Sequence, residues 1–132
     1  MQRLSLKTNK RCELLDITEE VAGAVKESGV RDGIVIVYCP HTTAAITINE
    51  NADPSVCRDI LMKTSKVIEE GDPEYRHGEG NSDSHVKSSL TGASETIIIE
   101  KGRLVLGTWQ GVYFCEFDGP RSRNCFLKIL AG

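Results

Sequence analysis

The stretch GIVIVYCPHTTAAITINENADP, residues 33–54, decides the fold. Ile34 to Cys39 is apolar without interruption and rich in β-branched side chains, so it reads as a central strand covered on both faces. Pro40 cannot donate to a sheet ladder, so it breaks the strand and sets His41 in a bend. Thr42 to Ile48 then reads as a second strand, with Thr43, Ala45, Thr47 and Asn49 on one face and Ala44, Ile46 and Ile48 on the other. The first of those faces is small and polar, and a strand in a generic sheet seldom spends a whole face that way. Asp53-Pro54 opens a helix, with aspartate at the N-cap and proline at the first helical position.

Working outward, residues 2–7 and 11–17 read as two strands joined by a hairpin turn at Thr8-Asn9-Lys10. Thr18 caps a helix running to Ser28, with Val21 and Val25 one turn apart and Gly29 as the stop. Val56, Ile60, Leu61, Thr64, Val67 and Ile68 form the inner stripe of the helix from Pro54 to about Glu70. A short helix follows, with Ser82 as N-cap and Gly92 as stop. Residues 95–100, 104–106, 112–118 and 124–130 read as strands of a β-meander. The expected fold is a single compact α+β domain over 1–132: a largely antiparallel β-sheet with two main helices and one short helix.

Composition narrows the function. A net charge of −3 gives no reason to expect nucleic acid as the main partner. No apolar run approaches the roughly 20 residues of a membrane helix, and the charged start MQRLSLKTNKR lacks a signal-peptide core. The five cysteines are odd in number and without CxxC spacing, which predicts reduced core residues of a cytoplasmic protein.

The chemistry-bearing stretch is YRHGEGNSDSHVKSSL, residues 75–90. It holds His77 and His85, with Glu79, Asn81 and Asp83 spaced between them by small residues. The helix start at Ser82 offers free N–H groups, a ready anion site. With His41, three imidazoles are available for an open divalent-metal site, Zn²⁺ or Mg²⁺; the alternative is that each braces its own loop. Asp83 stands one turn before Lys87 and can pair with it. Glu116 lies mid-strand between Phe114 and Phe117 and requires a partner, Arg121 or Arg123. Trp109, between Gly107 and Gly111, is either core or a platform for a ring.

Three motifs resemble one family nearly end to end: PHTTAAITINENADP at 40–54, HGEGNSDSHVKSSLTG at 77–92 and LGTWQGVYFCEFDGPRSR at 106–123. They are similar to the YjbQ family, described as secondary thiamine-phosphate synthases. The resemblance implies a homotrimer with a polar cleft near the subunit boundary. It implies a reaction joining a pyrimidine methyl diphosphate to a thiazole phosphate with release of diphosphate. Carried over, the site comprises His41, Thr42 or Thr43, Asn49, Asp53, His77, Glu79, Asn81, Asp83, His85, Thr108, Gln110, Glu116 and Arg121. Ser82 and Arg121, with Arg123 and Lys87, would take the phosphate, Trp109 or Tyr75 would stack on a ring, and His41, His77, Glu79 and His85 would carry catalysis or metal. No phosphate-binding loop of the glycine-rich, lysine-bearing kind is present, which fits a weak or backup activity. A metal-dependent hydrolase or lyase and a non-catalytic ligand-binding trimer are the competing readings.

Overall fold

Alternation along the chain sorts two sheets around one core. The computed structural model describes all of residues 1–132, with eight strands and three helices. In order they are β1 (Gln2–Lys7), β2 (Glu13–Asp16), α1 (Thr18–Ser28), β3 (Gly33–Tyr38), β4 (Ala44–Glu50), α2 (Pro54–Val67), α3 (Ser82–Thr91), β5 (Ser94–Glu100), β6 (Arg103–Leu104), β7 (Gln110–Glu116) and β8 (Ser122–Ala131). The larger sheet has the order β1-β8-β3-β5-β6 and the smaller β2-β7-β4. Every pairing is antiparallel, as the α+β reading expects.

The core lies between the sheets and α1. Val35 and Val37 of β3 meet Ile97 and Ile99 of β5, Leu127 of β8, Ile46 of β4, Phe114 of β7, and Val21 and Val25 of α1. A smaller cluster of Ala45, Cys115 and Phe117 sits on the other face of β4 and β7. The parity read for β4 therefore holds: Ala44 and Ile46 face the main core with Phe114 of β7, and Ala45 faces away with Cys115.

Several expectations are corrected. The first two strands are not a hairpin. β1 pairs with β8 and β2 with β7, so Thr8-Asn9-Lys10 carries the chain from one sheet to the other. Thr8 fixes that crossing: its N–H donates to the carbonyl of Arg121 at 2.9 Å and its hydroxyl to Glu116 at 2.8 Å. The last strands are not a meander, because β7 joins the smaller sheet and β8 returns to the larger. Thr18 is the first residue of α1 rather than its cap; its N–H and hydroxyl both donate to Asp16 Oδ1. Asn81, not Ser82, holds the N-cap position of α3.

Ile34 to Cys39 is central but buried on one face only. Opposite the core, Ile34 pairs with Ile98 on one side and Leu130 on the other, and Tyr38 pairs with Phe126. Tyr38, Ile98 and Leu130 remain 45%, 59% and 42% exposed. Helix α2 is likewise uncovered: it ends at Val67, and none of its residues is fully buried. Of the two main helices, α1 packs on the core and α2 does not.

Candidate functional site

The chain bend at Pro40–Thr43 is held from beneath by a buried ion pair. Glu116, at the end of β7, has no exposed surface and accepts from Arg123 Nε at 2.8 Å and from Nη2. It also accepts from the Thr8 hydroxyl and, at 3.0 Å, from the backbone N–H of Asp118. Burial alone would push this carboxyl up, but the Arg123 bonds and the two further donors outweigh it and hold Glu116 below its ordinary value. Arg123 Nη2 reaches on to the Thr43 hydroxyl at 2.8 Å, so the pair positions the Thr42–Thr43 turn. Of the two partners the sequence offered, Glu116 takes Arg123.

His41 is anchored as well. Its Nε2 accepts the backbone N–H of Asn124 at 2.9 Å, so the neutral ring carries its proton on Nδ1. Burial first, then the Arg123 cation, lowers its pKa, and the imidazole is uncharged at neutral pH.

A second buried network seats α3. Asp83, with no exposed surface, takes a two-pronged contact from Arg11 at 3.0 and 3.0 Å and the Lys87 ammonium at 2.8 Å. Burial pushes Asp83 up, yet these two cations bring it down to about 2. The Ser84 and Ser88 hydroxyls donate to the carbonyls of Phe117 and Ala44, each at 2.6 Å, and pin the helix to the ends of β7 and β4. The start of α3 then opens beside His41. Asn81 makes no side-chain cap bond there; its Nδ2 donates to Asp118 Oδ2 at 2.8 Å, and its Oδ1 is buried without a partner. Asp118 is bridged from the other side by Arg121 Nη2 at 2.9 Å.

These elements surround a polar pocket of about 330 Å³. From the sequence candidates it gathers His41, Thr42, Thr43, Glu79, Asn81, His85 and Arg121, and it adds Pro40, Asp118 and Arg123. Apart from Pro40, every side chain that lines it is polar or charged. His77 stands just outside, its ring edge-on to His85 at 5.3 Å between centroids and its Nε2 3.8 Å from Glu79 Oε2. Asp83 and Glu116 lie behind the pocket wall as buried supports, their oxygens taken by Arg11, Lys87 and Arg123. Ser82 begins α3. A larger cavity of about 620 Å³, between the end of α1 and the β5–β6 turn, contains none of the candidate residues.

Asn49, Asp53, Thr108, Trp109 and Gln110 do not join this pocket. Along the β4–β7 ladder Ala44 pairs with Glu116 near the pocket, whereas Glu50 pairs with Gln110. Six strand steps separate the two ends, roughly 20 Å at about 3.3 Å per residue. At the far end Asp53 caps α2 through the Ser55 N–H, Gln110 Oε1 accepts the Gly107 N–H, and Trp109 is 62% exposed. Trp109 is thus neither core nor, within one chain, a platform over the histidines.

The three-histidine metal set does not form within one chain. No group of three or more His, Cys, Asp or Glu side chains is placed to hold a metal ion. The chemistry agrees at His41: Nε2 is occupied by a backbone donor and Nδ1 bears the proton, so neither lone pair is free. Residues the sequence left out of the site are Arg11, whose contact with Asp83 spans 72 positions, and Thr8, 108 positions from Glu116. No local signal marks either.

Two antiparallel sheets with a bend, a helix start, two arginines and two carboxylates around a polar cleft define the class of α+β protein to which the chain is to be compared. The family model described as "UPF0047 protein YjbQ-like" matches residues 2–132. The chain belongs to the YjbQ family. It is 53% identical to the UPF0047 protein YugU of Bacillus subtilis over 98% of each chain. It is 56% identical to a UPF0047 protein of Methanocaldococcus jannaschii over 97% of this chain and 92% of that one. An uncharacterised YjbQ/UPF0047 family protein of Clostridium acetobutylicum superposes with a TM-score of 0.96 at 58% identity, covering 98% of this chain and all of the other. A protein of unknown function from Sulfolobus solfataricus superposes at 0.95 with 34% identity, covering 99% and 96%.

Proposed function

We propose that the His41–Asn81–Arg121 pocket binds a phosphorylated small molecule and acts as a thiamine-phosphate synthase of secondary, backup type. The observation that carries the anion reading is the lining: Arg121, half-exposed beyond its bonds to Asp118, the Nδ1–H of His41 and the uncapped start of α3, with Arg123 behind them paired to Glu116. In the reaction the pyrimidine's methylene C–O bond breaks and its electron pair leaves with diphosphate. The thiazole nitrogen lone pair then forms the new C–N bond. The protein's work is alignment and stabilisation of the departing anion, which these cations and N–H donors supply. Glu79, at the pocket edge beside His77, is the candidate base.

The finer readings are proposed on particular features. The homotrimer of the resemblance is supported by the uncovered apolar face at Tyr38, Ile98 and Leu130. The cytoplasmic placement is supported by five free thiols, with no disulfide formed. No helix is long and apolar enough to cross a membrane. A hydrolase or lyase is favoured by one contact only, the His77–His85–Glu79 cluster.

The test is rescue of a strain lacking thiamine-phosphate synthase. Wild type restores growth without thiamine. Arg121→Ala and His85→Ala do not, and Glu79→Gln lowers the rate by about 10²–10⁴ if it is the base. Failure of overexpressed wild type to rescue overturns the synthase reading.

A further inference from the structure

The cavity of about 620 Å³ between the end of α1 and the β5–β6 turn shares no lining residue with the His41 pocket. Its size is that of a small-molecule site. The floor is aliphatic: Val25 belongs to the main core, and Val30, Leu104 and Leu106, half-buried, pack against it. Four cations line the same cavity, Lys26, Arg31, Lys101 and Arg103, and no carboxylate does.

Gathering like charges costs free energy, and the chain as a whole carries −3, so a basic composition does not account for the cluster. The ion pairs of the chain belong to Arg11, His77, Lys87, Arg121 and Arg123, and to none of these four. Lys26 has a local reason for its place, because the carbonyls at the last turn of α1 favour a cation. Arg31, Lys101 and Arg103 have no such reason. Charge does guard an edge strand such as β6, but guarding an edge requires neither a single sign nor an aliphatic hollow beneath it. Glu100 stands opposite Arg103 in the strand register, yet it lines only an adjoining recess and forms no ion pair.

The rim is tied down. Lys101 and Gly102 both take left-handed backbone, φ 53° and 78°, which makes a tight two-residue turn between Glu100 and Arg103. The Gly102 N–H donates to the Arg31 carbonyl at 2.9 Å. A Cβ on Gly102 would stand 3.6 Å from Arg31 Nη1, so the guanidinium lies along the turn. The turn and the loop after α1 are thereby joined, and Arg31, Lys101 and Arg103 share one fixed rim above the aliphatic floor.

We propose that this cavity is a second ligand site, for a small organic phosphate with an aliphatic part. The aliphatic part rests on Val30, Leu104 and Leu106, and the phosphate takes charge-assisted hydrogen bonds from Arg31, Lys101 and Arg103. A phosphate monoester carries close to two negative charges at neutral pH and answers several cations at once. The lining holds no aromatic ring to stack on, which suits aliphatic carbon over a flat heterocycle. The proposal is independent of the synthase reading, since the two cavities have no residue in common.

The probe is hexyl phosphate, titrated by calorimetry into the full assembled chain carrying Arg121→Ala, which removes the exposed arginine of the His41 pocket. Hexyl phosphate should still bind there, and inorganic phosphate and hexanol should each bind at least about tenfold more weakly. Adding Arg31→Gln and Lys101→Gln should weaken hexyl phosphate by at least about tenfold. Both residues are exposed, so these changes leave the core intact. Co-sedimentation with vesicles of phosphatidylcholine and phosphatidic acid separates a free ligand from a lipid headgroup, and the expected result is protein left in the supernatant. Absence of binding in Arg121→Ala, inorganic phosphate binding as tightly as the hexyl ester, binding that survives the Arg31 and Lys101 changes, or capture on the vesicles overturns the proposal. A failed rescue in the growth test removes the synthase reading and leaves these outcomes untouched.

Discussion

Asp83 sits at the first turn of α3 with two cations on its oxygens. Its folded pKa of about 2 lies below the ordinary 3.8, so the stability it contributes is present above about pH 4 and disappears as pH falls towards 2. The size is about 2 kcal/mol, and urea unfolding across that window measures it. Asp83→Asn should lose that acid limb and cost about 3–5 kcal/mol at pH 7, because Arg11 and Lys87 are left without their counter-charge. Glu116→Gln should cost a similar amount by stranding the buried Arg123, and it should loosen Thr43 in amide-exchange measurements. At this scale the sequence was half legible. A glutamate between phenylalanines announced a buried partner, and the i+4 spacing announced Lys87. Arg11 was not legible, because a contact over 72 positions is set by how strands cross between sheets.

Among the elements, β3 runs close against β8 at Gly33. A Cβ there would stand 2.0 Å from the carbonyl oxygen of Leu130, a backbone atom that cannot give way. Gly33→Ala is expected to destabilise the protein by about 1–3 kcal/mol or more in thermal or urea unfolding, whereas Gly23→Ala in α1, with open space around it, should be neutral or stabilising. The helices and strands were legible because their signals are local: Asp53-Pro54, Gly29 and Gly92 each mark an end that the structure keeps. Which strands pair was not legible. A polar turn such as Thr8-Asn9-Lys10 looks the same whether it closes a hairpin or steps to another sheet; the long-range bonds of Thr8 decide. The α2 stripe was visible, but that the chain leaves it only half-buried was not.

For the whole molecule, the proposed trimer is testable at the exposed sheet face. Ile98→Glu places a charge at the most exposed isoleucine of that face without touching the core. It should shift the sedimentation profile towards the monomer, while unfolding of the isolated chain changes by no more than about 0.5 kcal/mol. In the larger sheet β8 lies between β1 and β3, and it follows both in the chain. During synthesis β1 and β3 therefore hold bare strand edges until residues 122–131 have left the ribosomal exit tunnel. A message truncated before that strand should yield an insoluble product dependent on chaperones.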